Sequence, residues 1–217
     1  MPEVVDLRPS FLCFDDLKPF VADDGRLDWP KLFGNSNPVE LDVGCGRGMF
    51  LFNASTTQSE RNFLGVELDF TEGRRGAKRL LKRQQPNARV LGGDANYLLD
   101  HLIRPASLAV VHVYFPDPWW KRKHRRRRLF TDLFADRVAR VLQPNGWLHM
   151  WTDVADYFEI VEALLKHHAH FSQLPTPAER PAADNLDYQT SFERTRRQSG
   201  LPIHRGLWQR VLNPIAS

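Results

Sequence analysis

The chain has 217 residues, of which 42% are hydrophobic and 26% charged, a balance that suits one soluble domain with a sizeable core and excludes a disordered, low-hydropathy chain. No apolar run is long enough to span a bilayer, and the opening MPEVVDLRPS has no secretory pattern. The two cysteines, Cys13 and Cys45, have no metal-ligand spacing, which argues against a disulfide framework, a structural zinc site or any other metal and makes the cytoplasm the expected compartment. The net charge of +4 is unevenly spread. Residues 121–128 are seven Lys or Arg and one His, and residues 74–83 carry six more cations and no acid. These stretches hold 13 of the 30 basic residues and leave 17 against 26 acids elsewhere. Patches of this kind attract polyanions, either nucleic acid or an anionic membrane.

Residues 1–38 carry a series of turn signals (Pro9, Pro19, Asp23-Asp24-Gly25, Pro30) and read as an N-terminal extension to a domain spanning 39–217. VELDV (39–43) predicts a first buried strand ending in a glycine-rich turn, and MFLFNAS begins a helix. NFLGVEL (62–68) predicts a second strand. Basic residues at 74, 78 and 82 and at 75, 79 and 83 then follow helical spacing, with Ala77, Leu80 and Leu81 off those rows, so this helix is amphipathic with a basic face. ARVLGGD (88–94) and SLAVVHVYF (107–115) predict strands three and four. The four-residue recurrence of Leu129/Leu133 and Phe130/Phe134/Val138 predicts a helix, and NGWLHMWTD (145–153) a turn and fifth strand. LPTPAERPAADN (174–185) is a polar, proline-rich connection leading to TSFERTRR and a last strand over LWQRVL (207–212). Strand–helix alternation at this spacing implies an α/β, doubly wound, mostly parallel sheet.

Chemistry gathers at the strand ends, where such sheets bind ligands. LDVGCGRG (41–48) places Gly44, Gly46 and Gly48 in the turn after the first strand, with Asp42 just before it. Glycines let the backbone turn tightly and approach a ligand, and the helix N-terminus behind them favours an anionic group. A dinucleotide fingerprint would want a third glycine where Met49 stands. Glu67 ends the second strand, where a carboxylate can accept both hydroxyls of a ribose, and Asp94 ends the third, placed for an adenine edge. Three acids at successive strand ends suit a cofactor carrying sulfonium and ammonium charges. The alternative for Glu67 and Asp94 is an ordinary loop acid or helix N-cap.

The stretch YFPDPWWKRKHRRRRLF (114–130) joins a framed acid to the basic run. Pro116 and Pro118 stiffen the backbone around Asp117. Trp119 and Trp120 offer faces on which a base can stack, and a rigid carboxylate can accept the N1–H and N2–H₂ edge of guanine.

ELDVGCGRG, GVEL, GGDA, FPDPWWKRKHRRRRL, WTD and TSFE, in that order, resemble the bacterial-type tRNA (guanine-N7-)-methyltransferases of the class I S-adenosylmethionine-dependent superfamily, over about residues 32–212. The resemblance implies a Rossmann-like fold of seven strands with the last antiparallel. It also implies S-adenosyl-L-methionine as cofactor and methyl transfer to guanine N7 of tRNA in the variable loop, by a monomer or homodimer. It places cofactor binding on Asp42, Gly44, Gly46, Glu67, Asp94 and Asp117, with Asp117 also the catalytic-site acid. Substrate contacts fall on Lys121, Asp153, Thr190, Ser191, Phe192 and Glu193, and RNA contacts on Lys123, His124, Arg125, Arg126, Arg127 and Arg128. Asp42 where the family often has Glu, Trp120 where Pro or a small residue is common, and Ser191 in place of Lys or Asn are departures that bear on substrate contact.

Two residues keep a plainer alternative: Asp153 as a helix cap and Glu193 as the partner of a nearby arginine. The basic face of 74–83 reads as a solvated surface, with tRNA contact its alternative. Rival functions are a class I methyltransferase for another RNA or a small molecule, and an RNA-binding protein without catalysis. The acids at every strand end disfavour the last, and the basic run disfavours a small-molecule substrate. A membrane-surface role is disfavoured because residues 121–128 lack an apolar half.

Overall fold

The fold comes from a computed structural model that describes residues 6–119, 122–176 and 188–212, apart from the side chains of residues 122, 125 and 126. Trp120, Lys121 and most of the proline-rich connection (177–185) lie outside the described residues. The chain divides into two compact units, Met1–Leu102 and Ile103–Ser217.

In the first unit the predicted strands are β2 (Val39–Val43), β3 (Asn62–Glu67) and β4 (Ala88–Gly92), and a further strand, β1 (Phe11–Cys13), comes from the segment read as an extension. All pair in parallel in the order β1-β4-β3-β2, with Asp42 opposite Gly65 and Glu67 opposite Gly92. Leu41, Phe63, Leu64, Val90 and Leu91 are fully buried, the near-continuous apolar reading of parallel strands covered on both faces. Helix α1 (Trp29–Phe33) precedes β2, and α2 (Met49–Thr57) follows the glycine turn. Helix α3 (Phe70–Lys82) starts at Asp69, whose side chain accepts from the amides of Thr71 and Glu72, satisfying two of the donors a helix start leaves open. Its Gly73, Gly76, Ala77 and Leu80 are buried while all six cations from Arg74 to Arg83 are exposed. A short helix, α4 (Ala95–Tyr97), runs into one widened turn, Leu98–Leu102.

The second unit holds β5 (Leu108–Tyr114), α5 (Asp132–Val141), β6 (Leu142–Thr152), α6 (Ala155–Lys166), β7 (Phe171–Gln173), α7 (Ser191–Gln198) and β8 (His204–Arg210). β5 and β6 are parallel, and β8 runs antiparallel between β6 and β7, so the last strand is antiparallel as expected. The described residues contain eight strands where seven were expected, β1 being the addition. Helix α5 begins later than its apolar spacing suggested, because the Thr131 hydroxyl accepts from the Phe134 amide at 3.2 Å and caps the helix after Leu129 and Phe130. β8 begins earlier than LWQRVL because His204, Arg205 and Gly206 pair with Thr152, Trp151 and Met150. Among the described residues no helix is long and apolar enough to cross a membrane.

Candidate active site

The turn after β2 is shaped from several sides. Gly44, Gly46 and Gly48 have φ of 76°, 51° and 62°, left-handed values that favour glycine. Behind the turn stands Gly76 of α3: a Cβ there would lie 3.1 Å from Arg47 C and Gly48 N. Gly65 of β3 serves the same end, since a Cβ on it would run into Leu51 Cδ1 and meet Cys45 Sγ at 2.7 Å. Both absent side chains let helix and strand close on the turn.

The amides of this turn are largely spent within the protein. Gly44 and Cys45 both donate to the Val66 carbonyl, Gly48 donates to Cys45, and Gly46 donates to Glu67 Oε2 at 2.8 Å. A phosphate cradle needs such amides free, so the turn itself is not one; the helix start behind it, α2, has no side-chain cap. Acids dominate instead. Glu67 also accepts the Asp69 amide on Oε1 at 2.8 Å, which fixes its carboxylate as a fork with a lone pair left on each oxygen. Asp42 is buried, with no hydrogen bond to its carboxyl among the described residues. Burial, and then the charge of Glu67, push its carboxyl up to about 8. Burial likewise raises the Cys45 thiol, so that residue is inert filling. Asp94 is exposed and caps α4 through the Asn96 amide at 2.8 Å. It therefore fills the N-cap alternative while its second oxygen stays open. A buried acid that a cation would draw into its charged form, beside a fixed carboxylate, is a setting for a cationic ligand, and the residues present fit a sulfonium nucleoside.

In the second unit Asp117 is exposed on a loop built for rigidity. Besides the two prolines, Phe115 and Trp119 at its borders have φ of 51° and 44°, a costly conformation for residues with side chains. It is held by named contacts. The Phe115 amide donates to the Trp151 carbonyl at 2.7 Å. Arg128 Nε donates to the Pro118 carbonyl at 2.7 Å, and its guanidinium lies 4.9 Å over the Tyr157 ring. Burial raises the Tyr157 hydroxyl, and the charge of Asp117 adds to the rise. Trp119 is covered by the Arg127 guanidinium at 5.1 Å and met edge-on by His124 at 5.8 Å. Three members of the basic run thus brace the loop, and Lys123 is exposed, with no such contact among the described residues.

The TSFE segment reaches the same loop. Thr190 caps α7 by accepting the Glu193 amide at 3.0 Å, and Glu193 accepts the Gln189 amide at 2.6 Å, a variant of the reciprocal capping box. Phe192, 61% exposed, stacks on Phe115 at 5.9 Å and 21°. Ser191 is half-buried in the first turn. Glu193 is buried, paired with Arg197 at 3.3 Å and Arg205 at 3.6 Å, so its carboxylate is committed to the fold, the plainer of its two readings. Asp153 does not cap α6, whose cap position is Val154; it pairs with Arg196 of α7 at 2.7 Å. Lys121 lies outside the described residues, as do the side chains of Arg125 and Arg126.

Residues 36–205 match a family model described as a putative methyltransferase. The chain is 41% identical over 180 residues to the tRNA (guanine-N(7)-)-methyltransferase of Rhodopirellula baltica, covering 80% of this chain and 66% of that protein. It is 35% identical over 179 residues to the enzyme of the same name from Syntrophotalea carbinolica, covering 82% and 76%. The chain belongs to the tRNA (guanine-N7-)-methyltransferase family. A crystal structure of a SAM-dependent methyltransferase from Aquifex aeolicus shares the fold, with a TM-score of 0.56 at 14% identity over 90% of this chain and 92% of that one.

Several residues of this methyltransferase carried no signal in the sequence. Leu68, 73% exposed directly after Glu67, offers an apolar surface next to the fixed carboxylate, yet in sequence it only extends a strand. Tyr157, Arg196 and Arg205 act across the fold on residues far along the chain, and nothing local marks them. Phe115 was marked only as the end of an apolar run, while its function depends on a backbone angle.

Proposed function

We propose that the protein transfers a methyl group from S-adenosyl-L-methionine to N7 of a guanine in tRNA, in the variable loop, in the cytoplasm. The observation that carries this reading is the 41% identity to a protein of that name over most of the chain. The acids around the glycine turn support it. In this reading Asp42, Gly44, Gly46, Glu67 and Asp94 hold the cofactor: Asp42 faces its positive charge, Glu67 accepts the ribose hydroxyls on its two remaining lone pairs, and Asp94 uses its open oxygen on the adenine. Leu68 gives the flat ring an apolar neighbour. When bound, the cofactor supplies an electrophilic methyl on a cationic sulfur.

Guanine N7 carries a free lone pair and no proton at neutral pH, so no general base is required. The protein's part is alignment and charge. Asp117, on its braced loop, accepts the guanine edge and offsets positive charge arriving on the base. Phe192 and Phe115 form the neighbouring aromatic surface, while Lys121, Asp153 and Thr190–Glu193 complete the substrate side. Lys123 and the rest of the run to Arg128 attract the RNA backbone, which supplies affinity without reading sequence.

The test is methyl transfer from labelled cofactor to unmodified tRNA transcripts. Label is expected on the wild-type transcript and absent from one with 7-deazaguanosine at the target. Equal labelling of both would refute N7 as the acceptor.

A further inference from the structure

The solvent face of α3 has no task in the reaction as derived. We propose that it is a second phosphate-binding surface, contacting the backbone of the same tRNA; the proposal rests on the tRNA reading above. The six cations from Arg74 to Arg83 are all exposed, and the opposite face of the helix is buried. Arg74 lies 5.1 Å over Phe11, Arg75 pairs with Glu72, and Arg83 lies 5.8 Å over Phe52, all inside the first unit. Glu72, the helix's one acid, is shared with Arg47 of the glycine turn. Lys78 and Lys82, one turn apart, have no ion pair among the described residues.

A solvated face explains this arrangement poorly. Positions 74/78, 75/79, 78/82 and 79/83 set like charges at four-residue spacing, and 75/78 and 79/82 at three, each pair weakening the helix. The helix C-terminal dipole compensates only in the last turn. A surface kept for solubility mixes both signs, and the rest of this chain, with acids in excess, has the means to do so. A polyanion laid along the face removes the repulsion. Insertion into a bilayer is disfavoured because Ala77 and Leu80, the apolar side of the helix, are fully buried in the protein.

The experiment titrates a tRNA transcript with the full-length protein across a salt series, comparing wild type with K78Q/K82Q, K78R/K82R and K78E/K82E. Each phosphate contact contributes roughly 0.7–0.9 to the log–log salt slope. K78Q/K82Q should therefore flatten the slope by about 1.5 and weaken binding about tenfold or more near 0.1 M salt. K78R/K82R should restore both, and K78E/K82E should lose more. The KM for tRNA should rise in step, with kcat at saturating tRNA and cofactor affinity unchanged. Wild-type binding with an unchanged slope in K78Q/K82Q overturns the proposal and leaves the function intact. So does a loss confined to phosphatidylserine vesicles. If the wild type neither binds nor methylates tRNA, the functional reading fails and this proposal with it.

Discussion

With Asp42 facing the cofactor as proposed, cofactor binding becomes a proton-coupled event. The Asp42 carboxyl is held up at about 8 by burial and by Glu67, against an ordinary carboxylate near 3.8. In the free protein at neutral pH it therefore keeps its proton. A cationic ligand favours the carboxylate, so binding below pH 8 should expel that proton. The cofactor's apparent affinity should then tighten by up to tenfold per pH unit as pH rises toward 8, about 1.4 kcal/mol per unit, and level off above it. Folding responds in the opposite direction. Between about pH 4 and 8 the folded state holds a proton that the unfolded chain has released, so stability of the free protein falls as pH rises through that window. Calorimetric titration at pH 6.5 in two buffers of different ionisation enthalpy should report release of about one proton. Asp42→Asn should bind more weakly and show neither the proton release nor the pH slope. S-adenosylhomocysteine, which keeps the ammonium but lacks the sulfonium, tells which charge is the partner by whether its slope persists. An affinity flat from pH 6 to 8, with heats independent of buffer, would refute the reasoning.

Three further outcomes are expected. Gly76→Ala gains roughly 0.5–1 kcal/mol of helix propensity but drives a methyl into turn backbone 3.1 Å away, an overpacking cost of about 1–3 kcal/mol. Its melting temperature should change little or fall, while cofactor affinity drops about tenfold as the turn shifts; an unchanged affinity would show that the turn tolerates the push. Asp117→Ala should reduce kcat by about 10²–10³ with tRNA affinity within a few-fold, as measured by single-turnover methylation and binding. Breaking the partly exposed Asp153–Arg196 pair should cost about 1 kcal/mol or less of stability but raise the KM for tRNA. If the pair serves to position α7, the swap D153R/R196D restores KM, whereas a direct substrate contact by Asp153 leaves the swap as impaired as the single variants.

The parallel strands of both units were legible because they are short apolar runs bounded by turn residues, and the acids were legible because each stands at or just past the end of such a run. β1 was not, since three residues between a turn and Phe14 carry no periodicity; its place depends on Phe11 fitting against Gly73 and Gly92, which lie far along the chain. The fate of Asp153 was hidden, and that of Glu193 was legible only in part, in its pairing with the nearby Arg197. Asp153 pairs with Arg196, chosen by the fold, and the second partner of Glu193, Arg205 in β8, stands outside the arginine cluster that sequence proximity favoured. The glycine turn was recognisable, but whether its amides face a ligand or the protein is a matter of hydrogen-bond direction, which composition does not encode.

β1 also bears on how the first unit is assembled. Among the described strands it is synthesised first, yet its partner residues in β4 (Phe11 opposite Val90, Cys13 opposite Gly92) come only after β2 and β3 have been made. The strand must wait for an edge that does not yet exist, a non-local pairing of the kind that slows folding. Once in place it covers that edge, and an open β4 would be a template for pairing with another chain. Shortening the chain past Cys13 should therefore show itself first as self-association, before any loss in the chemistry of methyl transfer.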